Sequence, residues 1–305
     1  MTCLPVDRRA KRIWMVLAAL LATPGFIGCS DATNILPPEP LAASGFFESD
    51  GLQIHYESFG EGEPIILVHG WGTDLSFNWG VTGWIEELQT VRQVIAIDIR
   101  GHGDSDKPLE QALYSYSTMA RDVLNLMDTF GIEKADFMGY SLGSFSGAYL
   151  LGHHTDRFSS MVLGGIGDET EESIATAEPI AAALRADDPS EISDPIGLEW
   201  RQFVDIDPRN DEHAREALAL AALQMWPEGF PLELGGEGLR SVNIPVLIVN
   251  GADDIPYVNT VHPFADAIPG ARLVMIPDRD HFGAVFDPLF KEEVLGFLRA
   301  NDEAR

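Results

Sequence analysis

The sequence predicts an α/β fold: a mostly parallel sheet flanked by helices and interrupted by a helical cap insertion. Three observations carry that prediction. From Gly51 onward, apolar runs of strand length alternate with stretches of helical periodicity, as in a sheet covered on both faces. The runs PIILV, QVIAI and PVLIV are almost wholly apolar, which marks strands buried on both sides. Between residues 168 and 240 the rhythm stops, and segments such as DEHAREALALAALQMW read as helices with no buried strand among them.

Taken in chain order, residues 1–28 read as an export signal. A basic stretch, RRAKR, precedes the apolar run IWMVLAALLA, and TPGFIGC ends at Cys29. Pro24 and Gly25 break the apolar segment before it reaches spanning length, which favours cleavage over a permanent span. FIGC resembles the lipobox of bacterial lipoproteins, with Phe26 where leucine is usual. That resemblance implies a lipid on Cys29, a bacterial cell-envelope location and the membrane as a partner. An ordinary signal peptide cut nearby and an uncleaved anchor are the competing readings. Cys3 lies in the removable part, so lipidation would use up the remaining thiol. Residues 29–44, with Pro37, Pro38 and Pro40, read as a tether.

The core is assigned to 45–167 and 241–305. LQIHYESFG opens the strand series, followed by PIILVHG, QVIAID (93–98) and ADFMG (135–139). Met119, Val123, Leu126, Met127 and Phe130 recur at helical spacing between the last two, with Ser117 as the expected cap. SMVLGG (160–165), PVLIVNG (245–251) and ARLVMIP (271–277) continue the series, and a helix from about Pro288 to Arg299 closes it. The 168–240 insertion holds 18 acidic and 5 basic residues. Its place after a core strand suits a lid over a site, the alternative being a peripheral decoration.

Composition bounds the function. The chain has 305 residues, 45% apolar and 22% charged, enough for one large core or two modest ones. Twenty basic residues against 48 acidic give a net charge of −28, which repels nucleic acid and gains nothing from anionic lipid.

The chemistry centres on FMGYSLGSF, residues 137–145. A strand followed by GYSLG and a helix is a sharp turn that lifts Ser141 above the sheet edge, with Gly139 and Gly143 where side chains would collide with crossing backbone. The Leu142 N–H then points where negative charge would develop on a carbonyl oxygen, and the loop HGWG (69–72) offers a second donor at Trp71. A serine needs a base and an orienting acid. PVLIVNGADD ends with Asp253 and Asp254, and ARLVMIPDRDH with His281, each just past a strand. His281 would be the general base and the acid would fix its tautomer. Trp71 and Tyr140 are candidate substrate contacts; Trp79 and Trp84 are pocket-lining or core residues.

HGWG, DIRGHGDS (98–105), GYSLG, GADD and DRDHF together resemble the α/β-hydrolase superfamily in order and approximate spacing, over residues 51–300 apart from the insertion. The resemblance implies a serine hydrolase acting on a small acyl substrate without a cofactor. It selects Asp254 through the G-x-x-D pattern and leaves Asp168 as the fallback acid. Ser144 stands where glycine often follows GYSLG, and Asp280 where a small residue is common. Ester cleavage leads, with carbon–carbon bond hydrolysis, lactonase or perhydrolase activity and a non-catalytic binding module as alternatives. His69 and His102 belong to loop motifs; His55, His153, His154, His213 and His262 read as surface or satisfied core residues. Asp98, Arg100 and Ser105 read as structural. No spacing of His and Cys suggests a metal.

Overall fold

The computed structural model describes residues 44–255 and 257–305. The signal, lipidation and tether readings, Cys29 included, therefore lie outside the described residues, except that Ser44 belongs to the first strand. Eight strands form one sheet: β1 (Ser44–Ser49), β2 (Leu52–Phe59), β3 (Pro64–Val68), β4 (Gln93–Ile97), β5 (Ala135–Tyr140), β6 (Phe158–Gly164), β7 (Val246–Gly251) and β8 (Arg272–Ile276). Their spatial order is β1-β2-β4-β3-β5-β6-β7-β8. β2 runs antiparallel to β1 and β4, and every later pairing is parallel.

The opening strand was expected at Leu52, and β1 before it is an addition. Asp50 and Gly51, at φ of 50° and 84°, sit between the paired Ser49 and Leu52. That two-residue turn with both φ values positive matches the twist of the flanking strands, and Asp-Gly is its preferred sequence.

Successive residues of the central strands enter different cores. Ile66 and Val68 of β3 join Phe137, Phe145 and the insertion, whereas Ile65 and Leu67 join Trp79, Trp84 and Phe290. Among the described residues, helices α1 (Trp84–Leu88), α2 (Tyr116–Thr129) and α3 (Leu142–His153) lie between the strands up to β6. Ser115, not Ser117, caps α2, accepting from the Thr118 N–H at 3.2 Å. The buried stripe of α2 is Met119, Val123, Leu126 and Met127, as the periodicity requires.

Between β6 and β7 the chain is helical throughout its regular elements: α4 (Glu171–Ala175), α5 (Ala177–Arg185), α6 (Pro195–Val204), α7 (Glu212–Met225) and α8 (Pro231–Gly235). Asp194 caps α6 with Pro195 in its first turn, and Asp211 caps α7. Then follow α9 (Val261–Ala267), α10 (His281–Ala284) and α11 (Pro288–Ala304), the last running five residues past its expected end at Arg299.

Candidate active site

Ser141 joins β5 to α3 at φ 51° and ψ −119°, a backbone conformation a non-glycine residue adopts only when its surroundings impose it. The surroundings do so here. The Ser141 N–H donates to the Gly164 carbonyl at 2.9 Å, and the Gly143 N–H to that of His69 at 3.1 Å. A Cβ on Gly139 would lie 2.5 Å from the Gly143 backbone, and one on Gly143 would collide with the Val68 carbonyl. The close crossing of β3, β5 and α3 thus requires glycine at both places. Ser144, the departure noted in the sequence, is fully buried and donates from Oγ to the Gly164 carbonyl at 2.7 Å, tying α3 to the end of β6.

Asp254 follows β7, and His281 begins α10 after β8. Both Asp254 oxygens lie 3.0 Å from His281 Nδ1, and Asp254 is completely buried. Burial pushes the imidazole down, but Asp254, then Glu169 and Asp280, outweigh it, so the His281 pKa is raised above its ordinary value. Asp168 makes no hydrogen bond to His281 and does not line the cavity beside it; its N–H donates to Thr260 Oγ1 at 2.8 Å, and burial raises its carboxyl. Asp280 accepts from the Gly283 N–H at 2.7 Å and so caps α10.

Ser141, Leu142, Trp71, Tyr140 and His281 all line one cavity of about 270 Å³. The N–H groups of Trp71 and Leu142 have no acceptor among the described residues. Trp71 donates from its indole to the Leu218 carbonyl at 3.3 Å and meets Trp200 and Trp226 edge-on. The Tyr140 hydroxyl donates to the His281 carbonyl, so it braces the histidine loop while its ring borders the cavity. Trp79 and Trp84 are fully buried in the core instead.

The remaining motif residues are structural. Asp98 accepts from His55 Nδ1 at 2.8 Å and from the N–H groups of Leu75 and Asp104, which makes His55 a satisfied core residue. His55, Asp98 and Asp104 are close enough to be considered as metal ligands, but these hydrogen bonds already use His55 Nδ1 and both Asp98 oxygens. Arg100 grips Asp122 through two nitrogens at 2.8 and 2.6 Å. His69 accepts the Ile99 N–H on Nε2 at 3.0 Å, and burial lowers its pKa. Burial likewise lowers His102, to about 3.

Sequence reasoning missed most of the wall. Tyr116, Glu169, Trp200, Trp226, Tyr257 and Phe282 all border the cavity. Apart from Phe282 at the end of DRDHF, none belongs to a quoted motif, and six separate segments bring them together.

Residues 63–192 match the family described as the alpha/beta hydrolase fold. The chain has the α/β-hydrolase fold. It is similar to the dihydrolipoyllysine-residue acetyltransferase component of the acetoin cleaving system of Cupriavidus necator, at 29% identity over 84% of this chain and 70% of that protein. It is also similar to 2-hydroxy-6-oxo-6-(2'-aminophenyl)hexa-2,4-dienoic acid hydrolase of Metapseudomonas resinovorans, at 27% identity over 83% of this chain and 90% of that one. Among solved structures, a hydrolase from Pseudomonas aeruginosa aligns with a TM-score of 0.67 and 27% identity, covering 84% of this chain and 98% of its own. As an α/β-hydrolase fold, the chain carries its cavity at the carboxyl ends of the parallel strands, where such sheets build their sites.

Proposed function

We propose that this chain is a serine hydrolase that cleaves a carboxylic ester or related acyl bond through an acyl-enzyme on Ser141. The observation that carries the reading is the buried Asp254 carboxylate holding His281 Nδ1 with both oxygens, beside a cavity that Ser141 enters from a strained turn. In this mechanism His281 Nε2 takes the Ser141 proton as Oγ attacks the acyl carbon. The Leu142 and Trp71 N–H groups receive the oxyanion, and His281 returns its proton to the leaving group. Water then repeats the sequence and releases the acid. No hydrogen bond joins Ser141 Oγ to His281, and such contacts commonly tighten when substrate binds.

The cavity wall favours an acyl group without negative charge. Glu169 borders it and no Lys or Arg does, so a substrate carboxylate would meet repulsion and no Lys or Arg to neutralise it. Carbon–carbon bond or lactone hydrolysis would use the same serine, acid and base, and the likeness to the dienoic acid hydrolase raises that second reading. Product analysis with a neutral ester beside a ring-cleavage diketone separates the two. Ser141→Ala and His281→Ala should each abolish turnover and leave the melting temperature near native. Turnover retained in both variants removes the mechanism. We also propose envelope attachment through Cys29: Cys29→Ser should move the protein from the membrane to the soluble fraction, and unchanged partition contradicts it.

A further inference from the structure

Glu169 follows β6 and forms part of the cavity wall. It is held firmly: its N–H donates to the Gly229 carbonyl at 2.8 Å and Oε1 accepts from the Tyr257 hydroxyl, leaving the residue 8% exposed. Ser173, another residue of the wall, also lies within hydrogen-bonding reach of this carboxyl. A carboxylate buried in a largely apolar wall with no Lys or Arg beside it is costly in its charged form, and a positive charge brought by a ligand would offset that cost. Burial accordingly pushes the Glu169 carboxyl up from its ordinary value.

Aromatic rings complete this wall. Tyr257 lies 5.8 Å from Phe145, which stacks on Tyr116 at 5.2 Å. On the insertion side, the turn bearing Gly229 begins at Trp226, whose ring meets Trp71 at 5.1 Å. Tyr116, Tyr257, Trp71 and Trp226 all border the cavity, and no Lys or Arg does. The cation–π contact found among the described residues, Lys291 over Trp84, is in the other core. Aromatic faces beside a carboxylate, with no internal cation, suit an ammonium group. The net charge of −28 would also concentrate cations at the surface.

We propose that the wall formed by Glu169, Tyr116, Tyr257 and Trp226 recognises a compact cation, so that the substrate class is an acyl compound bearing an amine or quaternary ammonium group. Assigning that cation to a substrate rests on the acyl-enzyme reading given above. Glu169 also lies close enough to raise the His281 pKa. A role confined to tuning His281 would affect charged and uncharged substrates equally, whereas recognition changes their ratio.

The test uses isosteric probes that differ in one positive charge, choline and 3,3-dimethylbutan-1-ol, titrated into the protein with tryptophan fluorescence as the readout. Choline should bind on the order of 10-fold more tightly, from cation–π contact and the attraction of its quaternary nitrogen, which has no N–H to donate, to the Glu169 carboxylate. Glu169→Gln, which keeps the side-chain shape and leaves the aromatic faces in place, should lower the ratio several-fold. Equal binding of the two probes by the native protein overturns the proposal, as does a ratio unchanged in Glu169→Gln. The kcat/KM ratio of choline and 3,3-dimethylbutyl esters, and fluorophosphonate labelling of the same samples, separate this inference from the reaction. A cation preference without labelling would sink the acyl-enzyme and keep the wall; labelling and neutral-ester turnover without a preference would do the reverse.

Discussion

The Asp254→Asn substitution probes the site with least disturbance to packing. The side chain is fully buried, and both oxygens accept from His281 Nδ1 at 3.0 Å. An amide of the same size keeps the volume but presents one donor and one acceptor. Where the amide nitrogen faces the ring, His281 must adopt the tautomer protonated on Nε2, which cannot accept the serine proton. The charge is lost as well. Burial, which pushes His281 down, would then face only Glu169 and Asp280, and the imidazolium formed during attack would lose its closest anion. The expected loss in kcat is about 10⁴-fold, or about 5 kcal/mol of transition-state stabilisation. Initial rates on a neutral aryl ester measure it, with thermal melts to verify folding. Activity within about tenfold of native would refute the reasoning, as would an equal collapse in Asp168→Asn with Asp254→Asn spared.

Other outcomes follow from the same geometry. Gly143→Ala drives a methyl into the Val68 carbonyl and should destabilise the fold by about 1–3 kcal/mol or more, read from the urea midpoint; an unchanged midpoint contradicts the close crossing. His281 is raised above its ordinary 6.5, and a general base must be neutral, so the acid limb of kcat/KM should lie above that value. Asp280→Asn, which can still cap α10, should move the limb down; a limb that stays or rises refutes the field argument. By linkage, stabilisation from protonated His281 is complete below its unfolded pKa and is lost as pH rises through the raised folded value. Asp122→Ala strands the buried Arg100 and should cost about 3–5 kcal/mol, measured by denaturant unfolding, with a loss below about 1 kcal/mol counting against the pair.

The central strands were legible because their residues are apolar on both faces, and the turn at Ser141 because two glycines mark a crossing that admits no Cβ. β1 was hidden for a different reason. SGFFES, with its exposed Phe46, does not read as a core strand, although the Asp50-Gly51 turn was a signal in plain view. Ser117 and Ser115 are equivalent by residue type, and only backbone geometry chooses between them: Ser115 has the extended conformation a cap requires. His281 and the pair Asp253 and Asp254 follow strand ends and could be read from order, while the choice of Asp254 came from the resemblance through its G-x-x-D pattern. The wall cannot be read that way. Glu169, Tyr116, Trp200 and Tyr257 are far apart in sequence and meet through long-range packing that leaves no local period.

The most direct test of the account is the intact mass of the folded body, begun at Ser44, before and after treatment with a fluorophosphonate, alongside the Ser141→Ala variant. The account predicts one adduct on the native protein and none on the variant. A folded native protein that takes no adduct, or a variant that takes one equally, would contradict it.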